Sequence, residues 1–447
     1  MGFDLLLIFF TIIFQSAVML RIKQYLDKGA INLFFLHPAF YINLPIILFF
    51  FIPLIFYKLN KSVWFWTDVE NISKPLIIFC IAVIILNLLF LSFKRFPHSV
   101  DLNKILDAIK RWLPILIIFY SISWFTRILF LFSGLYMPGN PEMFREFSSQ
   151  HPFFMPVFML FNMQLYFPVV VMLWLLTHTV FASNKRFNLY MKILLFADVI
   201  YFLPTGGKQG LLQPIFAYIF SKLILKKRIA LKKIIVFIVL FSLFLPAYNA
   251  YRVTGGNISL ILEAIMMHNE AIYGEQKGYY FTAIEAVFRR VEAFASYIYF
   301  TQMDTGGAHL KGATYIEIIS RLLPEFFLPL PQKLKEKPLT DRLIESGLIG
   351  EGEYMPAGSL APWGEMYINF GYWGVVFGLP LLGILSLYFL RTALSPFKFN
   401  WLFVYLFVPY VFLVLTQSGI ANLITPLINI TIVLLIANLI FKSPRRI

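Results

Sequence analysis

The chain has 447 residues, of which 59% are hydrophobic and only 14% charged, with a formal net charge of +15. Soluble domains average about 45–50% apolar and about 25% charged residues, so this composition excludes an ordinary soluble globular protein and predicts a membrane protein. The basic residues gather in short segments between hydrophobic runs, the pattern of a cytoplasmic membrane face, which argues against nucleic-acid binding.

At the N-terminus, Asp4 comes early and Arg21 and Lys23 follow the apolar run. That order lacks the basic n-region and cleavage site of a signal peptide, so a retained first helix is expected. Taking about 20 apolar residues as a crossing length, the sequence predicts an all-α, polytopic transmembrane bundle of about eleven spans. They fall near 3–20, 38–57, 76–93, 113–135, 157–181, 189–204, 211–225, 233–250, 368–391, 400–417 and 420–441. The sixth and seventh are short and meet at the turn Thr205-Gly-Gly-Lys-Gln-Gly210, so a broken or re-entrant pair is the alternative there. The chain thus divides into helices one to eight (1–250), a large extracytoplasmic loop with amphipathic helices (251–365) and helices nine to eleven (366–447). The single cysteine, Cys80, lies in an apolar run and permits neither an intrachain disulfide nor a cysteine-based metal site.

Orientation follows from lysine and arginine. Alternate connections carry 22 of them on one side and, outside the long loop, 5 on the other. The richer side is cytoplasmic, which places the N-terminus and the long loop outside and the C-terminus inside. Arg127 and Asp198 fall within apolar spans, where charges are paired or functional; a mutual structural pair is the preferred reading.

The long loop contains 10 basic and 14 acidic residues, so any anion site in it must be local. Its best helix is 281–300, with Ile284, Val287, Phe288, Val291, Ala295 and Ile298 on one stripe. Arg289 has Glu285 and Glu292 at ion-pair spacing. Arg290 lies beside Ala283, Ala286 and Ala293 without such a carboxylate. Its guanidinium fork is therefore open to a phosphate, or to a partner elsewhere in the loop. Lys208, in the glycine-rich turn at a helix start, is either an anion ligand or an interfacial lysine, and Arg252 is an anion ligand or a snorkelling arginine. The six histidines lack zinc spacing, there is no nucleotide fingerprint, and the acidic pairs Asp68/Glu70 and Glu351/Glu353 read as solvated loop acids. No metal or cofactor is expected.

The stretch Gly364-Glu-Met-Tyr-Ile-Asn-Phe-Gly-Tyr-Trp-Gly374 resembles the G-E-x-Y-x-N-F-G-x-x-G signature of O-antigen polymerase (Wzy-type) proteins. Leu323-Pro324, with Pro329, Pro331, Lys337 and Pro338, resembles a proline-rich segment of that family. Residues 205–212 resemble its T-G-x-R-x-x-L-L turn, with Lys208 in place of arginine. The resemblance covers about residues 200–392. It implies a GT-C-like membrane glycosyltransferase in the bacterial inner membrane, which joins oligosaccharide repeat units carried on undecaprenyl diphosphate. Lys208, Arg252, Arg289 and Arg290 would then bind the diphosphate, and Arg290 would stabilise the leaving group. Glu292, His268, His309 and Glu365 are the candidate proton acceptors, and Tyr367 and Asn369 the candidate sugar contacts. Glycines 364, 371 and 374 are read as structural, letting the loop approach the bundle. Membrane lipid, a chain-length regulator and a flippase are the implied partners. A glycan ligase with a different acceptor is the nearest alternative; a lipid or polysaccharide transporter is the alternative from another class.

Overall fold

The computed structural model of the chain describes residues 2–26, 31–60, 72–92, 101–132, 154–202, 208–227, 297, 300, 301, 309–312, 314, 315, 361–395, 397–414 and 420–440. These residues are helical, without a strand, and six of their helices are long and apolar enough to cross a membrane, or seven if one bent pair counts as a span. The chain is therefore a multi-span membrane protein. It forms two compact units, one from Met1–Gly29, Leu33–Val100 and Val291–Ile447, the other from Ala30–Asn32 and Asp101–Arg290.

In the first unit, α1 (Gly2–Leu26) buries Asp4, Ile8, Thr11, Gln15, Val18 and Ile22, a seam at three- and four-residue spacing. The opposite face, with Phe3, Leu6, Phe10 and Ile13, is exposed, as suits a helix facing lipid. The next span starts as α2 (Pro38–Pro45), passes through a π-helical stretch at Ile46–Phe51 and continues as α3 (Ile52–Asn60). Pro45 cannot donate to the helical ladder, and the widened turn follows it directly. The third span is α4 (Ser73–Ser92), which packs on α1. Gln15 donates to Asn43 at 2.9 Å, and Asn43 and Asn87 exchange amide bonds of 2.7 and 3.1 Å. This ladder ties α1, α2 and α4 together where lipid offers polar groups no partner. At one end of the same helices, Asp4 takes the Lys58 ammonium and, at 2.8 Å, the Ser73 hydroxyl. Phe50 and Phe79 stack with centroids 4.0 Å apart.

The second unit contains α5 (Leu102–Phe132), α6 (Phe154–Met159), a π-helical stretch at Leu160–Gln164, α7 (Tyr166–His178), α8 (Lys185–Phe202) and α9 (Lys208–Ile224). Helix α7 packs against α5 and α9, and α9 against α8. Three expectations change here. The helix that carries the fourth span begins at Leu102, ahead of 113, because Ile105, Leu106, Ala108 and Ile109 make a buried face opposite exposed Lys104, Asp107, Lys110 and Arg111. The fifth span is bent by 44° at Leu165, where the π-helical stretch ends. The sixth and seventh are helices of 18 and 17 residues that fall short of a crossing in apolarity or length. The stretch 233–250 lies outside the described residues.

The first unit is completed by α10 (Pro362–Leu394), α11 (Phe399–Tyr405), α12 (Phe407–Val414) and α13 (Ala421–Ile440); α11 and α12 run on as one apolar helix over Phe399–Leu413, with helical backbone angles at Leu406. Helix α10 is not one rod. Gly371 has φ 62° and ψ −152°, a region essentially confined to glycine. The Met366 sulfur lies 2.8 Å from where a β-carbon on Gly378 would be. Twelve residues of continuous helix would separate these positions by about 18 Å. The chain doubles back at Gly371, folding the short arm 362–370 against the start of the long arm 372–394. The long arm rests on α4, where Leu86 and Phe90 occupy the β-carbon position of Gly383. A small residue there lets the two helices approach closely.

Candidate functional site

The fold-back at Gly371 leaves the last carbonyls of the short arm without helical partners, and residues near the middle of the long loop supply them. Leu310 N–H donates to Ile368 O and Lys311 N–H to Asn369 O, each at 3.0 Å. Lys311 and Gly312 take positive φ values of 48° and 87° to make the turn. The His309 ring lies against the bare α-carbon of Gly371. The expectation that glycine lets the long loop approach the bundle is met at Gly371. Gly374 serves the hairpin itself, since a β-carbon there would strike the Met366 carbonyl.

Around this turn the polar side chains are interlocked. The Glu365 carboxylate, 2% exposed, accepts the Thr314 hydroxyl at 2.8 Å and the Ile420 N–H. Asn369 donates to the Thr314 oxygen at 2.6 Å and to the Glu365 carbonyl at 2.8 Å. One buried bracket thus joins the long loop, the short arm of α10 and the entry to α13. Asn369 sits within the short arm and ties that arm to Thr314. Burial and the neighbouring Glu365 charge push the Tyr315 hydroxyl well above its ordinary range.

Beside the bracket stands an aromatic group. Tyr367 contacts Tyr297, His309 and Tyr372 edge-on, with centroids 5.7, 5.6 and 5.1 Å away. Tyr297 donates to Pro75 O at 2.9 Å, and Lys74 sits over the Tyr372 ring at 5.2 Å. Half-buried His309 has a buried Nδ1, and Asn369 a buried Oδ1, for which no hydrogen-bond partner occurs among the described residues. Lys311 is exposed. The arrangement offers a proton acceptor, a cation and ring faces at one end of the bundle.

The structure therefore gathers His309, Glu365, Tyr367 and Asn369. Arg252, His268, Arg289, Arg290 and Glu292 lie outside the described residues, and Lys208 opens α9 in the other unit. Sequence reading missed Thr314, Lys311, Tyr372 and Lys74, because Thr314 is 51 residues from Glu365 and no local pattern marks the pairing.

Arg127 and Asp198 form the expected pair in the second unit. Asp198 also accepts from Tyr120 at 2.9 Å and from Tyr166. Asn162, in the π-helical stretch, accepts Arg127 Nε at 2.6 Å and Ser123 at 2.8 Å, and donates to Thr126 and Phe158 O at 2.9 Å each. Trp124, Tyr166, Tyr201 and Phe202 surround the guanidinium within 4.6–5.3 Å. Both charges are fully enclosed, which suits a structural clamp rather than a site reached by substrate.

No set of three or more potential metal-ligating His, Cys, Asp or Glu residues converges among the described residues. Comparison of the chain with protein-family models, curated proteins and solved structures found no match.

Proposed function

We propose that the chain is a glycosyltransferase of the bacterial inner membrane that polymerises undecaprenyl-diphosphate-linked oligosaccharide repeat units. The reading includes a GT-C-like bundle of about eleven spans, with the N-terminus periplasmic and the C-terminus cytoplasmic. One observation carries it: the stretch Gly364–Gly374 folds back at Gly371, and Leu310 and Lys311 of the long loop dock there. The motif and residues 309–312, more than 50 positions apart in sequence, thereby share one site.

In the reaction, a sugar hydroxyl of the acceptor attacks the anomeric carbon of the donor, whose bond to the lipid diphosphate breaks. The hydroxyl proton passes to a base, and the diphosphate leaves with the bonding electrons. Of the candidate bases described, His309 fits better than Glu365, because both Glu365 oxygens already accept hydrogen bonds while His309 Nδ1 has no partner among the described residues. Glu365 acts as a positioning residue that holds Thr314 and Asn369. The resemblance assigns diphosphate binding to Lys208, Arg252, Arg289 and Arg290, and positive groups are the kind that stabilise charge developing on a leaving diphosphate. Half-buried Tyr372 offers a ring to a sugar, and buried Tyr297 and Tyr367 pack behind it.

A strain lacking the protein tests the reading. Its surface glycan should carry at most one repeat unit; a full-length ladder would end the polymerase claim.

A further inference from the structure

One end of the second unit gathers lysines around His178, the last residue of α7. Its ring stacks on Trp174 and tilts against Tyr218, with centroids 5.2 and 5.6 Å away. Lys222 of α9 holds its ammonium over the Tyr218 ring at 4.4 Å. Lys227, just past α9, donates to the His178 carbonyl. Lys192 of α8 completes the group, since the charges of all three lysines bear on the same imidazole. Lys192 and Lys227 are exposed and Lys222 is half-buried. His178 Nε2 is enclosed, so the ammonium groups rather than the ring meet whatever lies outside.

Charge decides what the group can hold. Between 147 and 262 the sequence has eleven Lys and Arg against one acidic residue, Asp198, which is taken by Arg127. Helix α5 runs antiparallel to α7, with Phe130 against Phe158 and Tyr120 against Tyr166, and so brings Asp101 and Asp107 to this end. Asp107 pairs with Lys110 at 3.4 Å, and Asp101 accepts the Asn103 N–H at 2.9 Å. The ion pairs of the described residues leave out Lys192, Lys222 and Lys227; the partners shown for Lys222 and Lys227, a ring face and a carbonyl, are neutral. Like charges held together in this way repel until an anion joins them. The lysines stand where apolar α7 ends, at the level of lipid headgroups, where a lipid phosphate is within their reach.

We propose that Lys192, Lys222 and Lys227 form a binding site for the phosphate headgroup of an anionic phospholipid. The site is independent of the polymerase reading.

Full-length protein in a neutral detergent is titrated with dioleoylphosphatidylglycerol or dioleoylphosphatidylcholine, and bound lipid is counted by native mass spectrometry. The two lipids share their acyl chains, so a preference belongs to the headgroup. One phosphatidylglycerol should bind more tightly than phosphatidylcholine by roughly tenfold or more. Lys192→Gln, Lys222→Gln and Lys227→Gln should each weaken it roughly fivefold, the weight of one lysine near an anionic headgroup. Arginine at all three positions should retain it. Lys185→Gln with Arg186→Gln removes two exposed charges at the start of α8 and should change binding by less than about twofold. Equal binding of the two lipids would overturn the site, and so would equal loss in the 185/186 variant, which would show a diffuse positive field. Ammonium phosphate, compared with ammonium acetate at matched ionic strength, should not displace the lipid. Displacement would give the lysines to a soluble phosphate, and competition by polyglutamate to an acidic protein; either result overturns the lipid assignment. The preference of the wild-type protein decides the matter even if a glutamine variant misfolds.

Discussion

The His309 ring lies against Gly371 so closely that a β-carbon there would come within 2.8 Å of Nε2. This contact joins the middle of the long loop to the fold-back of α10, and it depends on a backbone conformation that side chains resist. Gly371→Ala should therefore combine backbone strain of about 1–3 kcal/mol with displacement of the histidine. Thermal unfolding in detergent should show a lowered midpoint and the glycan ladder should be lost. Gly378→Ala, which meets only the flexible Met366 side chain, should be milder in both assays.

His309→Gln should keep the ring's place filled and the protein at normal level in the membrane, yet abolish polymer. An unaltered ladder from that variant would remove His309 from the proton-transfer role.

Thr314→Ala removes the hydroxyl that links Glu365 to Asn369. Because it strips a partner from a buried carboxylate, it should cost about 1–3 kcal/mol. Combining it with Glu365→Gln should cost less than the sum of the two single changes, since both break one network. Additive unfolding midpoints would show that the bracket is not a unit.

Asp198→Asn leaves the enclosed Arg127 guanidinium without its counter-charge and should destabilise by about 3–5 kcal/mol. Replacing both, as Arg127→Met with Asp198→Leu, should be less harmful than Asp198→Asn alone. Retained polymerase activity in the double variant would support a structural clamp; loss of activity in well-folded protein would place the pair in the mechanism.

His37 caps α2, with its Nδ1 accepting the Ala39 N–H at 3.1 Å, and burial lowers its pKa to about 3 from 6.5. The neutral ring is the folded form, so the unfolded chain binds the extra proton between those values. Stability should accordingly fall as pH drops below about 6.5 and keep falling towards 3. His37→Asn, which retains a capping acceptor, should flatten that dependence in thermal scans between pH 4 and 7.

Much of the architecture is legible from composition and spacing alone. Apolar runs mark α1, α4 and α13 because a lipid-facing helix must be apolar along its whole crossing. The Arg127–Asp198 pairing could be foreseen because an isolated charge in hydrocarbon is too costly to leave alone. The signature around Gly371 was visible as a motif, and its glycines as places of close approach.

The fold-back itself was not visible, because apolarity continues through Gly371 and only the backbone angles reveal that the helix reverses. Nor was the helical character of 102–111, whose charges lie on one face and resemble a connection when counted in sequence. What the sequence determined is that the chain crosses a membrane repeatedly as helices, since hydration of its apolar surface leaves no other stable state. What only tertiary structure decided is which distant residues meet. His309, Thr314 and Glu365 come together through backbone bonds to a broken helix, and such pairings leave no periodic trace in the chain.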